Sequence, residues 1–144
     1  MTSPSRTVDG LMVSGLTELA LGAVLGWPYS LAIDDPVLAR RLGIRSADRL
    51  RQFHLDLIAL GGLSVLASTA LPDLPRRVSV PLGIGAWTNA FGFGVLVLRP
   101  DATASRGYRA AIGGSFATAT AGFVSLAAEG WRRHRVGTHR KTAR

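Results

Sequence analysis

Few side chains in this 144-residue chain are suited to chemistry, and they stand out because they are embedded in apolar sequence. His54 is the one histidine inside the four long apolar runs described below, with Ile58, Gly61, Gly62 and Val65 following on its helical face. A histidine above a glycine-lined groove suits an axial haem ligand: one ring nitrogen binds iron, and the small residues let a flat porphyrin approach. The other ring nitrogen then needs an acceptor. Arg45, Arg49 and Arg51 lie just outside the run and match anionic propionates. A histidine anchored among lipid headgroups fits the same position. Glu18 lies well inside an apolar run, where its charge needs a partner or water. It is read either as a proton-handling carboxylate or as a hydrogen-bonding group between helices. Asp56 falls about 200° from His54 on a helix, so the two do not pair directly. Asn89, beside Trp87 and Thr88, is an interhelical amide or a substrate-orienting donor, and Glu129 is expected to snorkel towards Arg132 or Arg133.

The elements that carry these residues are long and apolar. Four runs, about residues 11–33, 52–71, 78–98 and 110–131, each reach the roughly 20 residues that cross a bilayer. Every Lys and Arg lies outside them. Polar stripes at a 3.6-residue period, as a soluble bundle would show, are mostly missing. Charged residues make up 18% of the chain, against about 25% in a typical soluble domain. The expected fold is therefore all-α, an integral membrane four-helix up-down bundle over residues 1–131. The first run is too long, and Glu18 too polar, for a cleaved signal peptide. Residues 132–144 carry six basic residues and no acid, and are expected to form a disordered tail.

With no cysteine, disulfides, thiolate metal sites and cysteine nucleophiles are excluded. A lone histidine in the runs argues against a zinc site. No phosphate-binding glycine loop, His-Glu-x-x-His or Gly-x-Ser-x-Gly occurs. The net charge of +8 suggests contact with anionic lipid headgroups, not nucleic acid, because no aromatic-interleaved basic face is present.

The longest connection contains Asp34-Asp35-Pro36, a helix stop and restart with an acidic cap and a proline in the first turn. The piece that follows, with Val37, Leu38, Leu42 and Ile44 against Arg40, Arg41 and Arg45, reads as an amphipathic segment on the membrane surface. Basic residues in the loops nearly balance across the membrane. The density of the tail places both termini in the cytoplasm. Small residues at i, i+4 spacing, Gly22 and Gly26 in the first run and Gly114, Thr118 and Gly122 in the fourth, are expected at helix contacts. The third run holds Gly83, Gly85, Gly92 and Gly94 among Trp87, Phe91 and Phe93, enough to leave grooves on more than one face.

Several of these residues recur in a known group. Gly26-Trp27 closes the first run, Arg51 precedes His54, Gly61 follows it by seven, and Trp87-Thr88-Asn89-Ala90-Phe91-Gly92-Phe93 occupies the third run. The pattern, over roughly residues 10–115, resembles the small four-helix membrane proteins that include styrene oxide isomerase and hydroxylaminobenzene mutase. The resemblance implies a trimer with haem b between subunits, His54 as iron ligand with Gly61 and Arg51 beside the cofactor, and Trp87 and Asn89 facing substrate. It implies intramolecular rearrangement of a small apolar molecule, such as an epoxide or aryl hydroxylamine, with ferric iron as Lewis acid. Gly85, Phe93 and Leu60 stand where the isomerase has polar residues. These departures touch the substrate shell, not the iron ligand. Two other readings use the same residues: a proton-coupled transporter of the small multidrug type centred on Glu18, and a non-catalytic accessory protein that binds a partner through its helices.

Overall fold

The computed structural model describes residues 9–142, so Arg6 and the last two tail residues fall outside the described residues. The chain forms α1 (Gly10–Asp34), α2 (Pro36–Arg41), α3 (Ala47–Ala70), α4 (Arg76–Leu98), a 3-10 turn (Pro100–Ala104) and α5 (Arg106–Thr142), with no strand among the described residues. Four of these helices are long and apolar enough to cross a membrane.

Local chemistry sets the helix limits. Asp9 caps α1, its carboxylate accepting the Met12 N–H at 2.8 Å. Asp35 caps α2 by accepting from the N–H groups of Val37 and Leu38, with Pro36 in the first turn, as the Asp-Asp-Pro sequence predicts. Ser46 caps α3. Gly43, at φ +90°, turns the chain between α2 and α3 where other residues are strained. α5 continues to Thr142, past residue 131 where the apolar run ends. Glu129 pairs with Arg132 at i+3 and with Arg133 at i+4, bridging the end of the apolar run to the basic turn that follows.

Tertiary packing follows the glycines. α1 lies along α3, α3 along α4, and α4 along α5, while α1 meets α4 only lightly. Gly15 and Gly61 bring α1 and α3 together backbone to backbone: a Cβ on Gly15 would stand 2.6 Å from the Gly61 carbonyl oxygen. The glycines of α4 serve three neighbours. Gly83 faces Leu11 of α1, Gly94 faces the Phe53 ring of α3, and Gly85 and Gly92 face Ala119 and Ile112 of α5. Gly122 meets the backbone of Leu82, but Gly114 has open space around it. Gly94 with Phe53 and Gly92 with Ile112 each match a late residue of α4 with an early residue of α3 or α5, whereas Gly83 and Leu11 are both early in their helices.

α2 docks on one end of this assembly through Ala39, which joins Ala32, Leu50 and Val97 with Ile44 packed alongside. Val37, Leu38 and Leu42 remain exposed on its other side. At the opposite end Arg133 donates to the carbonyls of Pro72 and Asp73, tying α5 to the turn between α3 and α4. Gly61→Val should therefore force α1 off α3 and destabilise the folded protein by about 1–3 kcal/mol, while Gly62→Ala, which meets open space, should be near neutral. Chemical denaturation in detergent micelles followed by tryptophan fluorescence measures both.

Candidate functional site

His54 sits about two turns into α3, half-buried against α1. Its Nδ1 lies 2.6 Å from the carbonyl oxygen of Gly22. A carbonyl can only accept, so Nδ1 carries the hydrogen and donates. In the neutral ring Nε2 then keeps its lone pair. The ring packs beside Gly26, where a Cβ would stand in ordinary contact at 3.5 Å from His54 Cε1, and Gly22 lets Ile58 of α3 come close to α1. The Tyr29 ring lies nearly parallel to the imidazole, at 6.3 Å between centroids. The acceptor that the sequence left unspecified is thus a backbone group of the neighbouring helix.

The residues grouped with His54 in the sequence are placed differently. Gly61 is buried and filled by α1, its imagined Cβ 2.7 Å from the Gly15 carbonyl oxygen, so it leaves no slot beside the imidazole. Gly62, one residue on, faces open space next to exposed Ile58. Arg51 is exposed and makes no ion pair among the described residues. Arg49 lies over the Phe93 ring at 5.9 Å. No group of three or more His, Asp or Glu among the described residues is placed to hold a metal ion. A metal at His54 would need a carrier that brings most of its own ligands, as a porphyrin does.

Trp87 and Asn89 point to different neighbours. The Trp87 indole N–H donates to Ser14 Oγ of α1 at 2.8 Å, and its ring stacks on Phe91, which meets Phe53 edge-on. Asn89 shares a helical face with Gly85 and Gly92, the glycines that meet α5. On the same seam Thr88 and Ser115 share a hydrogen bond, and the Tyr108 hydroxyl donates to the Gly92 carbonyl. No hydrogen bond or ring stacking joins Trp87 or Asn89 to His54 among the described residues.

A second polar centre lies in the α1–α3 seam. Glu18 is fully buried, and neither carboxylate oxygen has a hydrogen-bond partner. Ser64, 1% exposed on α3, has an equally unpartnered hydroxyl. Gly61 lets α3 come close here, since its Cβ would stand 2.8 Å from Glu18 Cβ. One turn before Glu18, Ser14 lines an open groove of about 690 Å³ between α1 and α4, with Gly83, Trp87 and Thr88 on its walls and Asp9, Arg76 and Ser79 near one end. Glu129, by contrast, is buried but satisfied, its carboxylate accepting from both Arg132 and Arg133.

Sequence reasoning found His54 and Glu18 because ionisable residues in apolar runs are rare. It missed Ser14, Ser64 and Gly15. The available signal was register: Ser14 precedes Glu18 by one turn, and Ser64 follows Gly61 by three residues. Nitrogen-15 NMR of the neutral ring should report the Nδ1–H tautomer for His54. A spectrum of the Nε2–H form would contradict the Gly22 hydrogen bond. The chain matches no protein-family model, no curated protein and no solved structure.

Proposed function

We propose that the chain is a multi-pass protein of the cell membrane, its four long helices crossing up and down with both termini cytoplasmic. We further propose that it is a haem-dependent isomerase centred on His54, rearranging a small apolar substrate such as an epoxide or an aryl hydroxylamine. Membrane residence accounts for the large apolar side chains left on the surface of a single chain, among them Val24, Leu66, Phe116 and Val124. Trp27 and Trp131, 79% and 65% exposed, stand towards opposite ends of the bundle, as interfacial tryptophans do.

One observation carries the reading of the site: the Nδ1–H of His54 donates to Gly22, which fixes the ring and leaves Nε2 as the donor atom for iron. His54 would hold an iron-carrying group through Nε2, with open space at Gly62 beside it, whereas Gly61 is closed by α1 and Ile58 packs over Gly22. Haem b supplies, when bound, a Lewis-acidic iron that stabilises developing charge on a substrate oxygen. The chain's own part is to hold the imidazole through Gly22, to attract anionic groups with exposed Arg51, and to keep water from an apolar substrate. Trp87 and Asn89 stand apart from His54, so their part in orienting substrate requires a neighbouring copy. This accords with the trimer that the resemblance implies.

The full chain, expressed in haem-replete cells and purified in mild detergent, should be red, with a Soret band. His54→Ala should lose the band and the isomerase activity while circular dichroism stays unchanged. A colourless wild-type protein of normal helicity would overturn the haem reading.

A further inference from the structure

The α1–α4 groove takes no part in the His54 chemistry, and its two charged groups are arranged in a definite order. Gly83 faces Leu11 and, four residues on, Trp87 donates to Ser14, so α1 and α4 run in the same direction. The α4 wall from Arg76 to Trp87 is about 16 Å long at 1.5 Å per residue, close to half of the roughly 30 Å hydrocarbon core. The groove is therefore about one leaflet deep. Its walls include Leu11, Val80, Gly83 and Ile84, and Val80 and Ile84 are about half exposed. Arg76 and Asp9 line the same groove yet form no ion pair, and Arg76 has none with any described residue. Asp9 accepts from the Met12 N–H and the Ser68 hydroxyl through one oxygen, Oδ1, which leaves Oδ2 to accept from a further donor. Leu11 stands level with Gly83, so Asp9 lies about 7.5 Å further into the groove than Arg76, five residues of helical rise. The base is outermost and the acid inward of it.

We infer that this groove binds a single-chain phospholipid, with its phosphate on Arg76, its free glycerol hydroxyl donating to Asp9 Oδ2, and its acyl chain running past Gly83 to Trp87. The order of the two charges selects this occupant. A guanidinium at the rim suits a phosphate at the membrane surface. Inward of the phosphate, a two-chain phospholipid offers only ester oxygens, which accept and so oppose the Asp9 carboxylate. A lysophospholipid has a hydroxyl at that level, and a hydroxyl donates. A headgroup ammonium points the other way, outward from the phosphate, and does not reach Asp9. The volume of about 690 Å³ is within the size range of small-molecule sites, and a helix on either side leaves room for one chain. An acyl chain is as well solvated by lipid as by these walls, so preference for this ligand comes from the rim. Binding is non-covalent, and the hydroxyl keeps its proton.

The probe is lysophosphatidylcholine brominated on its acyl chain, because choline carries no donor of its own. It is titrated into vesicles of dioleoylphosphatidylcholine holding the full chain with the exposed Trp27 and Trp131 replaced (Trp27→Phe, Trp131→Phe), so that only Trp87 emits. Saturable quenching of Trp87 is expected, at mole fractions where two-chain phosphatidylcholine with the same brominated chain quenches little. Arg76→Gln should weaken binding about tenfold, and a probe with hydrogen in place of the free hydroxyl about fivefold. Arg77→Gln should leave binding unchanged, since Arg77 lines a separate pocket with Ser125 and Arg132 of α5. The hydroxyl-free probe leaves the chain and the Asp9 cap of α1 untouched, so it tests the site even if Arg76→Gln fails to fold. Equal quenching by the two-chain lipid or by the hydroxyl-free probe would overturn the inference, because the groove would then be an unselective lipid-facing surface. So would binding indifferent to Arg76→Gln, or weakened as much by Arg77→Gln. No pigment is read, so this outcome is separable from that of the haem reading.

Discussion

The close approach of α1 and α3 at Gly15 and Gly61 is the contact on which both polar centres depend. Each glycine presents its bare backbone to the other, and a methyl group on either would collide with a carbonyl oxygen. Where apolar side chains find lipid as comfortable as each other, helices associate through such close fits rather than by escaping water. Because these two helices touch at the backbone, Glu18 is sealed from solvent against Gly61 and Ser64. Two turns along the same seam, the Gly22 carbonyl comes within reach of His54.

The two centres are satisfied to different degrees. His54 has its hydrogen bond and a parallel tyrosine ring, which fix its orientation and tautomer. Glu18 and Ser64 are more deeply buried, yet their side-chain oxygens have no ion pair and no well-formed hydrogen bond. Glu129 shows how this chain settles a buried acid that serves structure: two arginines surround it, and one of them also binds the α3–α4 turn. The contrast leaves Glu18 as a buried acid without an ion pair among the described residues.

A single chain also leaves much apolar surface uncovered. α5 rests on α4 and shows Phe116 and Val124 outwards, and Gly113 and Gly114 meet no side chain at all. In hydrocarbon such a surface is solvated by acyl chains or by another helix.

The helices and their limits were legible in the residues themselves. Runs free of Lys and Arg set α1, α3 and α4 to within a few residues, and Asp35-Pro36 marked the restart of the chain, because hydropathy and capping are local properties. Single ionisable residues in those runs likewise named His54 and Glu18. Which glycine is filled and which is open was a tertiary matter. Gly61 and Gly62 are adjacent in sequence, yet a 100° turn of the helix puts one against α1 and the other into free space. Twice that rotation parts Trp87, bonded to α1, from Asn89, on the face of α4 that carries Gly85 and Gly92. Past the apolar run of α5, Glu129 pairs with Arg132 and Arg133, one and the same helix carrying both the apolar stretch and the basic turn. Residue types determine what must be buried and what chemistry is on offer. Only the pairing of helix faces decides which of those groups meet, because contact depends on rotation about each axis as well as on position along it.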